Sequence, residues 1–120
     1  MKYFCLDVSG SMSTEHLQMA IEQIALRRAP GDVLFMFDCE EYGPWPVEDV
    51  LGRMSDPEDM VKSLCPPERG RGGSDARPVL KAIEAHQKTH GVTDSTKILV
   101  SDGLISPDEF KLFDVFIEVK

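Results

Sequence analysis

Long apolar runs are missing from this 120-residue chain. No stretch approaches the roughly 20 consecutive apolar residues of a membrane-crossing helix. No basic segment followed by an apolar one opens the chain, so a signal peptide is not expected. Positive charge is also scarce: 13 Lys and Arg stand against 21 Asp and Glu, a formal net charge of −8. That argues against unspecific binding to nucleic acid or anionic membranes, whose footprint is clustered positive charge. Cysteine is sparse and odd in number. Cys5, Cys39 and Cys65 match no zinc-ligand spacing. Reduced thiols in a reducing compartment, and hence a cytoplasmic protein, are the expectation. Of the three histidines, only His86 and His90 are close in sequence. They stand at i, i+4 near a helix end, where imidazole suits the dipole, and read as a surface pair. No Ser-His-Asp order and no Cys-His pairing marks a nucleophilic site.

What is present is an ordinary globular composition, 42% hydrophobic and 28% charged, in a length that fits one domain spanning residues 1–120. Apolar runs at 2–8, 33–37 and 98–100 read as strands buried on both faces, and 114–119 as a last strand. Leu17, Ile21, Ile24 and Ala25 recur at helical spacing behind a cap at Ser13 or Thr14, and Pro30-Gly31 ends that helix. The Gly43-Pro44-Trp45-Pro46 segment predicts a turn, with Trp45 packing over an edge. Val47–Leu51 is a weak candidate for an edge strand, because Glu48 and Asp49 fall within it. A helix is expected from Asp56-Pro57 to just before Pro66-Pro67. Another, with Val79, Leu80 and Ile83 inward, follows the irregular loop 68–75 and stops at Gly91. Ser106-Pro107-Asp108-Glu109 has the form of a capping box. Strands alternating with helices predict an α/β fold, a mainly parallel central sheet in a Rossmann-like sandwich.

One carboxylate and two hydroxyls stand at alternate positions in Asp7-Val8-Ser9-Gly10-Ser11, at a strand-to-helix turn. This is a hard oxygen-ligand set, of the kind Mg²⁺ prefers. Asp102 follows a later strand and Ser74 lies in the loop before a helix. In open parallel sheets ligands bind beyond the carboxyl ends of the strands. The topology therefore brings Asp7, Ser9, Ser11, Ser74 and Asp102 to one sheet edge as candidate metal ligands. Asp75 reads more naturally as a helix cap than as a ligand.

Taken together, Asp7-Val8-Ser9-Gly10-Ser11, Gly72-Gly73-Ser74-Asp75 and Ser101-Asp102-Gly103 resemble the three motifs of the von Willebrand factor A-type domain. The second motif usually reads Gly-Gly-Thr-Asp. Serine in place of threonine keeps the hydroxyl but loses a methyl group that restrains its rotamer. The wording around it looks more like compact bacterial and phage-type members. The resemblance covers nearly the whole chain. It implies a three-layer sandwich with helices on both faces of the sheet and a metal-ion-dependent adhesion site. In that site Ser9 and Ser11 would ligate the ion directly, and Ser74 directly or through water. Asp7 and Asp102 would sit one water away, or one of them would bind directly. The usual family pattern continues into a further helix and strand. The fold is therefore expected to be shortened at its C-terminus, with one sheet edge under-covered and masked by a homo-oligomer or a partner.

Neutral hydroxyls and mostly indirect carboxylates leave such an ion poorly neutralised, with a position open to an Asp or Glu of a partner protein. The expectation is thus a metal-dependent protein–protein interaction module, not an enzyme, using Mg²⁺, for which Mn²⁺ can substitute. Bacterial relatives often work beside an AAA⁺ ATPase as adaptors, and the resemblance suggests that class of role. Arg69, Arg71 and Arg77 form either a solvated loop or a group orienting the acidic partner. Leu104 and Ile105 are either core or apolar contacts around the metal. Two alternatives stand beside this reading. One is a haloacid-dehalogenase-like phosphoesterase with Asp7 as nucleophile. Ser9 stands where those enzymes carry a second Asp, and no partner lysine is evident. The other is a structural module with an empty site.

Overall fold

The computed structural model describes residues 1–10, 12–53, 75–103 and 107–119. Its elements in chain order are β1 (Lys2–Asp7), α1 (Thr14–Arg27), β2 (Val33–Phe37), β3 (Glu41–Pro46), α2 (Val47–Arg53), α3 (Arg77–His90), β4 (Thr96–Ser101), α4 (Pro107–Phe110) and β5 (Val115–Glu118). Five strands form one sheet in the order β3-β2-β1-β4-β5. Every neighbouring pair is parallel except β2 with β3. This is the expected α/β, Rossmann-like sandwich.

The strands are continuous apolar runs because both faces of the sheet are covered. Side chains alternate between faces along a strand, and the core divides accordingly. Phe4, Leu6, Leu34, Met36, Ile98 and Val100 pack with Leu17, Ala20 and Ile24 of α1 and with Val47 and Val50 of α2. Tyr3, Cys5, Phe35, Phe37 and Leu99 pack on the other face with Val79 and Ile83 of α3 and with Phe113. Ala20, rather than the expected Ala25, completes the buried stripe of α1; Ala25 is exposed.

The helix ends follow local chemistry. Ser13 caps α1 by accepting from the His16 N–H at 3.1 Å, and the Ser13 N–H donates to His16 Nδ1 at 3.2 Å. Two otherwise unpaired donors are thereby satisfied. Gly91 ends α3 in the left-handed conformation, at φ 64°, which glycine adopts without steric cost.

One region corrects the sequence reading. Glu41–Pro46 is not a turn but the antiparallel strand β3, and Val47–Arg53 is a helix rather than an edge strand. Among the described residues β3 is an edge strand with no further strand beyond it, a place where prolines are tolerated. Val47 and Val50, three apart, bury one side of α2. Glu48 and Asp49 then fall in its first turn, where the helix dipole favours acids. Trp45 packs against the core at this edge, as expected. The helix expected after Asp56 lies outside the described residues, as do Cys65, Arg69, Arg71, Leu104, Ile105 and Ser106. Cys5 is buried, Cys39 is exposed, and both are free thiols. Among the described residues no helix is long and apolar enough to cross a membrane.

Candidate metal site at the sheet switch point

From β1 the chain crosses through α1 to β2 on one side, while β4 lies against β1 on the other. The two crossovers leave in opposite directions, so the carboxyl ends of β1 and β4 form a topological switch point, where such folds place their ligands. Asp7 is the last residue of β1, and Asp102 directly follows β4.

Asp7 is fully buried and Ser9 nearly so, at 2% exposure. Asp7 Oδ1 accepts from the Ser9 N–H at 2.9 Å. Asp7 Oδ2 accepts from the Ser101 hydroxyl at 2.7 Å. The Ser9 hydroxyl adds a further bond to the same carboxylate. These donors are neutral. Burial therefore pushes the Asp7 carboxyl above its ordinary range, against the pull of its hydrogen bonds, and the neighbouring negative charge of Asp102 adds to the rise.

Asp102 is half-buried and directly follows β4. Ser101 Oγ stands 3.4 Å from Asp102 Oδ1 and 3.3 Å from the Gly103 N–H that donates to it. A hydroxyl has one proton, and the shorter contact to Asp7 takes it. Gly103, at φ 92°, turns the chain immediately afterwards. The structure thus brings together Asp7, Ser9 and Asp102 from the expected ligand set. Ser11 and Ser74 lie outside the described residues.

Asp75, the residue after Ser74, is tied to the same edge. Its N–H donates to the Asp38 carbonyl, just beyond β2, at 2.8 Å. Its carboxylate accepts from the Arg77 N–H at 3.0 Å and from the Arg77 guanidinium at two points, each 2.9 Å. Asp75 is not the expected cap: Ala76 occupies the N-cap position with no side-chain cap bond, and Asp75 stands one residue before it. The bidentate guanidinium holds the Asp75 carboxyl at about 2. Arg77 is committed to Asp75 in this arrangement.

Three residues hold this edge together in roles not assigned to them in advance. Ser101 bridges the first and third motifs. Asp38, 2% exposed, accepts from the Glu40 N–H at 2.9 Å and from Tyr42 Oη, and so fixes the exit of β2. Glu109 Oε1 accepts from the Ala76 N–H at 2.8 Å, joining α4 to the start of α3. Ser101 stands within the third motif, but only its neighbour Asp102 is a candidate ligand there.

The donor set is all oxygen, which suits a hard cation. Among the described residues no group of three or more His, Cys, Asp or Glu is placed to hold a metal. The proposed set has only two carboxylates, completed by hydroxyls. Compared with known protein families and with curated proteins, the chain matches none.

Proposed function

We propose that the switch point between the carboxyl ends of β1 and β4 holds Mg²⁺, and that the ion engages an exposed Asp or Glu of a partner protein. The observation that carries this reading is a fully buried carboxylate at the switch point, bonded by neutral donors and facing a second carboxylate. Such a group is costly without a compensating cation. A divalent ion beside it turns the same charge into a stabilising one. Ser9 and Asp102, with Ser11 and Ser74, would complete the shell, leaving one position for a carboxylate from outside. An adaptor role beside an AAA⁺ ATPase or another assembly is consistent with such a clamp. The net charge of −8 disfavours an acidic partner in the absence of metal, so the ion would act as the switch for association.

Asp7 is poorly presented as a phosphoesterase nucleophile. It has no exposed surface, and both of its oxygens accept hydrogen bonds. Among the described residues β5 is an edge strand with Val115 41% exposed, and a second copy or the partner is proposed to cover it.

The test is binding of Mg²⁺ and Mn²⁺ by calorimetry and thermal melting, followed by affinity capture in Mg²⁺ against chelator. Wild type gains thermal stability with either ion and captures a partner only in metal. Ser9→Ala and Asp102→Ala lose both responses. No heat and no thermal shift at millimolar metal would sink the proposal.

A further inference from the structure

The far end of the sheet carries a second cluster of metal-ligating side chains. His86 and His90 project from the last turns of α3 with ring centroids 4.2 Å apart and planes 33° apart. His86 is half-buried and His90 exposed. Tyr3, buried in β1, meets His86 edge-on, with its Oη 2.7 Å from His86 Nδ1. The expected surface pair is therefore half anchored to the core.

We propose that His86 and His90 together bind a borderline divalent transition-metal ion, Zn²⁺, Ni²⁺ or Cu²⁺, through one imidazole nitrogen each. Three features converge on this. Two imidazoles on one helix face form a nitrogen donor pair, which these ions prefer and Mg²⁺ does not. Bonds of about 2.0–2.1 Å to one ion place the two nitrogens roughly 3 Å apart. Rings with centroids 4.2 Å apart reach that separation by rotation about their side-chain bonds.

Tyr3 is the second feature. Its hydroxyl engages Nδ1 and directs Nε2 of His86 away from the core. When Nε2 binds an ion, the ring proton resides on Nδ1 and is donated to Tyr3 Oη. This is the outer hydrogen bond that metal-bound histidines regularly make. The third feature is place. The carboxyl end of α3, closed by Gly91, carries the negative end of the helix dipole, which favours a bound cation.

Among the described residues no third His, Cys, Asp or Glu joins the pair. Water fills the remaining positions, and the site stays open to an outside ligand. It is distinct from the Asp7 site, because Tyr3 and Asp7 lie near opposite ends of β1, roughly 13 Å apart at strand rise.

The test uses the full chain, free of any affinity tag, titrated with NiCl₂ and ZnCl₂ by calorimetry and with CuCl₂ by electron paramagnetic resonance. One equivalent binds, and the copper spectrum shows two coordinated nitrogens. His90→Ala, at an exposed position, weakens binding at least tenfold and leaves the melting curve unchanged. Tyr3→Phe retains both ligands and weakens binding about tenfold, as loss of an outer hydrogen bond does. Asp7→Asn changes nothing at this site, which separates it from the Mg²⁺ proposal. The proposal is overturned if no Ni²⁺, Zn²⁺ or Cu²⁺ binds at millimolar metal. It is equally overturned if uptake survives His90→Ala or disappears in Cys39→Ser. Should Tyr3→Phe not fold, the His90→Ala comparison decides alone.

Discussion

Replacing Ser101 by alanine tests the centre of the candidate site without touching a carboxylate. The hydroxyl is fully buried and donates to Asp7 Oδ2 at 2.7 Å. A hydrogen bond to a charged acceptor contributes about 1.5–3 kcal/mol. Its loss leaves one buried carboxylate oxygen short of a donor. The Gly103 N–H also loses its acceptor, but that contact is long, at 3.3 Å, and half-exposed to water. A cost of about 2 kcal/mol follows. Unfolding entropy of roughly 2.1 cal/mol/K per residue gives about 0.25 kcal/mol/K for 120 residues. The melting temperature should therefore fall by about 8 °C. Thermal melts and urea titrations read the change directly. The decisive arm repeats Ser101→Ala in an Asp7→Asn background. A neutral acceptor makes the bond weaker, so the cost there should drop to about 1 kcal/mol. An equal loss in both backgrounds would refute the reasoning, because the hydroxyl would then be filling space rather than serving the charge.

Three further outcomes follow from the same structure. Asp7 is raised by burial. Between its ordinary and raised values the folded chain holds the proton more tightly than the unfolded chain, so without metal its contribution to stability declines as pH rises through that window. Denaturation midpoints from pH 4 to 7 should show this decline in wild type and a flatter profile in Asp7→Asn. Asp75 has the opposite sign. It is held at about 2 against an ordinary 3.8 by Arg77, so its contribution is present above 3.8 and is lost as pH falls towards 2; NMR titration should find its value restored towards the ordinary one in Arg77→Gln. Gly43 has φ 114°, and a Cβ there would stand 3.0 Å from the Leu34 carbonyl oxygen and 3.2 Å from the Trp45 ring. Gly43→Ala should cost about 2 kcal/mol by urea titration, and a cost under about 0.5 kcal/mol would mean that the β3 edge yields freely.

Elements whose own residues specify them were legible in advance. Val33–Phe37 is an unbroken apolar run and α1 an apolar stripe behind a serine cap, and both stand where the pattern puts them. Glu41–Pro46 was not legible, because two prolines and a glycine in six residues read as a turn. Only the sheet order reveals that this segment lies at an edge, where prolines are tolerated. The candidate site divides in the same way. Asp7 and Asp102 could be placed at strand ends from sequence order, since parallel strands end on one side. Ser101 to Asp7 spans 94 residues and Tyr3 to His86 spans 83. No local pattern encodes such contacts; they exist only once β1 lies beside β4 and beneath α3.

On the two proposals, the ends of β1 would serve two kinds of chemistry. Its interior, Phe4 to Leu6, is fully buried and apolar, and so holds both ends rigidly. Tyr3 near the start orients a nitrogen donor and Asp7 at the finish is an oxygen donor. Hard and borderline cations are sorted by those donor types, not by affinity alone. At the Asp7 end burial works against the charged form of a carboxylate, whereas Tyr3 and His86 satisfy each other without an ion. A cation at the Asp7 end would therefore change the stability of the whole sheet, because it relieves a charge within the core. A cation at His86 and His90 would act on one helix end. The larger thermal response is expected where burial works against the charged form, at Asp7 on the switch point between β1 and β4.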